Sequence, residues 1–191
     1  MKFLKKFQYN APVVLTFAIL AFVILWLGEM TGGRITNLLF VVKRGSLLNP
    51  LTYLRLFTHI FGHVNMEHYT GNILFILLIG PMLEEKYGSK LMIEMFVITA
   101  LVTGIINDVF FTTGLCGASG IVFMMIILAS MASVEEGRIP ITLILTMVIY
   151  LGQEVYDGLF TTDNISHLGH IIGGICGMGF GYIYNRKHTT A

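Results

Sequence analysis

Charge is what this sequence has least of. Asp, Glu, Lys and Arg make up 12% of its 191 residues, about half the share usual in soluble domains. That excludes a soluble globular enzyme, and the apolar content excludes a disordered or low-complexity chain. A basic surplus is missing too. Twelve Lys and Arg against eleven Asp and Glu leave a net charge of +1, so there is no basic face for nucleic acid. Cysteine is scarce: Cys116 and Cys176 both lie in apolar sequence, and no disulfide framework is indicated. In place of charge there is 55% apolar residue and a mean hydropathy of +0.77. The length allows one domain, residues 1–191, and the composition puts it in a bilayer.

A spanning helix needs about 20 mostly apolar residues. Six segments meet or approach this: Ala11–Gly28, His68–Leu83, Ser89–Phe111, Ser119–Val134, Ile139–Leu159 and Ile165–Tyr184. None alternates apolar with polar as a barrel strand does. The first follows Lys2, Lys5 and Lys6 as a signal peptide would. No small-residue cleavage site follows it and five further spans do, so it reads as an anchor.

Lys and Arg set the orientation. With the N-terminus cytoplasmic, the cytoplasmic ends hold Lys2, Lys5, Lys6, Lys86, Lys90, Arg138, Arg186 and Lys187. The opposite side holds only Arg34, Lys43, Arg44 and Arg55, all in the first loop. Both termini are then cytoplasmic. The first loop, Glu29 to Glu67, has apolar runs too short to span and reads as a partly helical segment in the outer interface. The fold class expected is an all-α polytopic membrane protein of six transmembrane helices with that long interfacial first loop.

Polar residues inside spans are costly and mark function. His68 opens the second span with Asn72 one turn later on the same face. Gly117-Ala118-Ser119-Gly120 opens the fourth. His167 and His170 open the sixth, and Glu154 and Asp157 lie near the outer end of the fifth. In the topology above the even-numbered spans all run inward, so Ser119, the histidines and Asn72 share one depth near the outer face.

Those groups suit acyl transfer. A serine hydroxyl becomes a nucleophile when a base, usually His, takes its proton. The tetrahedral oxyanion needs donors, for which His68, Asn72 and the backbone N–H of Ser119 at a helix N-terminus qualify. The fourth span is short, with 16 residues from Ser119 to Val134, so its outer end starts below the surface. The loop Asp108–Cys116 before it would dip into the membrane, beside the water-filled cavity that a hydrolase there requires.

At these residues the sequence resembles the rhomboid family of intramembrane serine proteases. The match runs from Arg55 to about Gly181. It carries Thr58-His59-xxx-His63, then His68-xxx-Asn72, then Gly117-Ala118-Ser119-Gly120, then a His with glycines at +3 and +7. The resemblance implies a six-helix core, no metal or cofactor, and a Ser–His dyad without an acidic third member. It also implies cleavage of single-span transmembrane protein substrates near the outer membrane face, by an integral multi-pass protein of the bacterial cell (inner) membrane. On it, Ser119 is the nucleophile, with His68 and Asn72 in the oxyanion hole.

The sixth span offers two bases. From His170, glycines fall at +3 (Gly173), +7 (Gly177) and +11 (Gly181), a stripe on which helices touch closely. From His167 only +7 (Gly174) is glycine. His170 is therefore the expected base. His59 and His63 are read as structural, hydrogen-bonding the first loop, and their spacing is poor for a metal. Glu67 reads as a solvated interfacial charge, Glu154 and Asp157 as facing water or protein, and Cys116 as a buried small hydrophobe. The rival class is a non-enzymatic membrane protein, either a catalytically inactive relative that binds membrane helices or a small transporter. Inactive relatives are expected to lack the serine or the histidine, and no internal repeat of the transporter kind is evident.

Overall fold

In the computed structural model, residues 8–132, 138–153, 156, 160 and 167–188 are described, with side chains through Tyr184. Lys2, Lys5, Lys6, Glu135, Glu136, Glu154, Asp157 and the start of the sixth expected span at Ile165 lie outside them. The helices are α1 (Pro12–Met30), α2 (Arg34–Leu39), α3 (Pro50–Thr58), α4 (Met66–Tyr87), α5 (Ser89–Phe110), α6 (Ser119–Met131), α7 (Ile141–Thr146) and α8 (His167–His188). A 3-10 turn, His59–Phe61, follows α3, and a π-turn, Met147–Leu151, continues α7. Among the described residues there is no β-strand, only one isolated antiparallel bridge, Val42 to Leu115.

α1 shows what kind of solvent surrounds the bundle. Val14, Phe17, Ala18, Ala21 and Leu25 are buried at helical spacing, yet Leu20, Phe22, Val23, Trp26 and Leu27 on the other face are exposed. A helix apolar all round either lies in a core or meets lipid. Here one face meets each. α1 and α5 are each long and apolar enough to cross a membrane, while Ser119–Met131 and Ile141–Leu151 are shorter apolar helices.

α6 is the centre. Ile121, Val122 and the five residues Met124–Leu128 are all buried, and its most extensive contact is with α8. Glycine permits this. A methyl on Gly173 would fall on the carbonyl oxygen of Gly120, and one on Gly177 on that of Met124. Gly181 lies against Met131. Contacts advance together along both chains, so α6 and α8 run parallel, backbone to backbone.

α4 extends past the expected 68–83 at both ends. Asn65 caps it, its Oδ1 accepting from the His68 N–H at 2.8 Å, and Gly88 at φ +81 ends it. Near that end the buried Glu84 ties three helices together. Its carboxylate accepts the otherwise unpaired N–H groups of Val13 (3.0 Å) and Val14 (3.1 Å) at the start of α1, and the Ser89 hydroxyl (2.7 Å) at the start of α5. An anion suits the positive end of a helix, and three donors offset the cost of burying it.

α5 matches the expected span Ser89–Phe111 to within one residue, ending at Phe110, so Asp108–Phe110 are helical and the non-helical segment before α6 is 111–118 rather than Asp108–Cys116. Asn107, buried in the last turn of α5, holds that segment by donating to the Thr113 carbonyl at 3.0 Å. The Val42–Leu115 bridge then joins it to the first loop.

Candidate active site at the start of α6

Ser119 is the first residue of α6 and is half-buried. Ahead of it the chain turns through Gly117 at φ +131, a conformation that favours glycine. Gly117 is also needed for space. A Cβ there would lie 2.6 Å from Cε1 and 2.8 Å from Nε2 of His68, so the His68 imidazole rests on the backbone two residues before Ser119. The Gly117 N–H donates to the His59 carbonyl at 3.0 Å, which pins the turn to the first loop. No side chain caps α6. Its first N–H groups, with the positive end of the helix dipole, are therefore available at Ser119.

His170 reaches this point from α8. Gly173, one turn further along α8, backs onto Gly120, and the Gly169 carbonyl lies 3.5 Å from a Cβ placed on Gly120. The His170 ring stacks on Phe123 with centroids 4.5 Å apart and planes within 4° of parallel. Phe123 follows Ser119 by four residues, about 40° round the helix, so it occupies the serine's own face. The His167 ring sits 6.4 Å from that of His170, edge-on. The glycine in its line, Gly174, abuts Leu151 of the π-turn instead of α6. The two candidate bases therefore belong to different contacts, His170 to the α6 seam and His167 to the side facing residues 147–151.

Asn72 is buried, and its Nδ2 donates to the His68 carbonyl at 3.1 Å. A carboxamide carries two N–H donors, and this bond engages one. His68 and Asn72 thus stay together on one face of α4, with His68 making the direct approach to the loop before Ser119.

His59 and His63 support the site from behind. The His59 Nε2 pairs with the Ala100 carbonyl of α5 at 3.0 Å, which ties the first loop to that helix. The His63 ring is buried beside the Phe61 backbone of the first loop, and it meets the rings of His68 (5.1 Å) and Tyr69 (5.5 Å) edge-on. Burial pushes both imidazoles down to about 4. Cys116 is half-buried, its sulfur against Gly62, as suits a small hydrophobe.

Two residues escaped the sequence reading. Asn65, three before His68, is a standard cap position and was legible as such. Phe123 was not, because an aromatic at +4 from a serine is ordinary until a histidine from another helix is seen against it.

The chain is similar to known proteins over most of its length. A family model described as Rhomboid domain matches residues 50–187. The rhomboid protease GluP of Bacillus subtilis (strain 168) is 27% identical over 177 residues, covering 88% of this chain and 34% of that protein. The rhomboid protease GlpG of Salmonella typhi is 25% identical over 183 residues, covering 95% of this chain and 66% of that protein. The chain spans about a third of the first relative's length and just under two thirds of the second's.

Proposed function

This chain belongs to the rhomboid family, and from that premise we propose that it is an intramembrane serine endopeptidase of a bacterial cell membrane. In this reading residues 1–191 form one six-span domain with both termini cytoplasmic and the first loop in the outer interface. Its substrates are single-span membrane proteins cut near the outer face. α6, the 13 residues Ser119–Met131, measures about 20 Å, against about 30 Å of hydrocarbon, which supports a serine set below the surface.

The mechanism follows from the side chains. His170 takes the Ser119 Oγ proton as Oγ bonds to the scissile carbonyl carbon. The oxyanion that forms is met by the Ser119 N–H, by a ring N–H of His68 and by the carboxamide of Asn72. The His170 proton then passes to the leaving amine, whose C–N bond breaks to give the acyl-enzyme. A water, deprotonated by His170, attacks the ester carbon, and the C–Oγ bond breaks as His170 returns that proton to Ser119, releasing the acid. No carboxylate is assigned to the imidazolium. The face of Phe123 stabilises it instead, a cation–π contact of about 0.5–2 kcal/mol, and also holds the ring plane.

The observation that carries this reading is the Gly120–Gly173 contact with the His170–Phe123 stack beside it. Labelling with a fluorophosphonate serine probe, alongside cleavage of a single-span substrate, tests it. Ser119→Ala and His170→Ala are expected to lose both activities while staying folded. His167→Ala is expected to keep labelling. Cleavage by Ser119→Ala would end the serine mechanism, and labelling that survives without His170 but not without His167 would reverse the choice of base.

A further inference from the structure

Away from the site, α1 and α5 splay apart around a cavity of about 470 Å³. Phe17 and Leu20 of α1 and Ile93 and Val97 of α5 form its walls, and Phe57 and Phe61 close one end. Leu20, Ile93 and Val97 are about half exposed, so the cavity opens sideways to whatever surrounds the bundle.

Its depth matches one leaflet. The lining runs from Pro12 to Leu20 on α1 and from Ser89 to Val97 on α5, eight residues along each helix, or about 12 Å. Half of a hydrocarbon core of about 30 Å is about 15 Å. The two helices begin at one level, because the Val13 N–H and the Ser89 hydroxyl bond the same oxygen of Glu84. The cavity therefore starts at one membrane surface and is roofed about 12 Å in, where Phe57 and Phe61 reach in from the first loop.

Polarity is graded in the same direction. The interior is apolar, and polar groups gather toward the end where the helices begin. The Tyr9 hydroxyl bonds that of Thr16 at 2.9 Å, with the Tyr9 ring exposed. Lys90 lies about 20° round α5 from Val97 and two turns nearer the mouth. Its side chain is 91% exposed, and Glu94 lies at 4.0 Å, an exposed pair of little strength that leaves the ammonium free to meet a phosphate.

We infer that this cavity seats one acyl chain of a phospholipid from the leaflet at whose surface α1 and α5 begin. The chain fills the space below Phe57 and Phe61, and the headgroup phosphate lies by Lys90 and Tyr9. The inference is independent of proteolysis.

Native mass spectrometry of the full chain in detergent tests it, with palmitoyl-oleoyl phosphatidylglycerol titrated into delipidated protein. Wild type is expected to retain one lipid and to gain thermal stability with it. Val97→Trp and Leu20→Phe, which fill the space, are expected to retain it roughly tenfold less tightly and to lose that gain. Leu78→Trp, on the exposed face of α4, should behave as wild type. Serine-probe labelling of Val97→Trp stays as in wild type, which separates this result from failure of the proposed activity. If Val97→Trp elutes aggregated, Leu20→Phe decides. Wild-type retention by the filled variants, or equal loss from Leu78→Trp, would overturn the inference.

Discussion

At Asn72 and Asn65 the same side chain type does two different jobs seven residues apart. Asn65 caps α4 through the His68 N–H, so it fixes where the helix begins and, with that, the place of His68 in its first turn. Asn72 offers a second N–H beyond the one it gives the His68 carbonyl. Asn72→Ala is therefore expected to lower kcat about 10²–10³-fold with little loss of stability. Asn65→Ala is expected to cost about 1 kcal/mol of stability and much less turnover. Steady-state cleavage with a melting curve on each variant separates the two. Wild-type turnover by Asn72→Ala on every substrate would remove it from the oxyanion hole. The pairing of His68 with Asn72 was legible in the sequence because four-residue spacing fixes a shared face. The seat of the His68 ring on Gly117 was not, since it joins residues 49 positions apart.

At the scale of elements, the α6–α8 seam is the rigid unit. Gly173 and Gly179 both belong to α8 but differ in surroundings: a methyl on Gly173 meets the Gly120 carbonyl, whereas one on Gly179 meets nothing within 4 Å. Gly173→Ala should force the helices apart, lowering stability by about 1–3 kcal/mol and abolishing probe labelling by drawing His170 away. Gly179→Ala should be neutral or gain up to about 1 kcal/mol from better helix propensity. Equal melting temperatures for the two variants would mean that the seam does not hold the helices. The glycine stripe could be read from the sequence, and so could its link to His170. That Gly174 faces Leu151, which places His167 on another side, depends on a neighbour no spacing rule names.

Taken whole, the molecule buries two imidazoles, His59 and His63, in neutral form. Their pKa values are pushed down to about 4 by burial, against about 6.5 in an unfolded chain. Between those values the unfolded state binds more protons, so stability falls as pH drops from about 6.5 toward about 4 and is flat, as far as these groups go, above that window. The loss is on the order of 3 kcal/mol for each histidine. Melting in detergent should therefore shift down by several degrees or more between pH 7.5 and pH 5. An unchanged midpoint would show that these rings are not held neutral.

Composition and periodicity by themselves determined that the chain is helical and apolar enough for a membrane. The short motifs singled out Ser119, His68, Asn72 and the choice between His170 and His167. These are local properties, fixed by residue type and by the 100° turn per residue of a helix. Only the tertiary structure decided which faces meet: His68 on Gly117, Phe123 under His170, Glu84 across the starts of α1 and α5, and the first loop bridged to the segment before Ser119. Each of these joins residues far apart in the chain, and their approach is set by how whole helices pack rather than by anything within one helix.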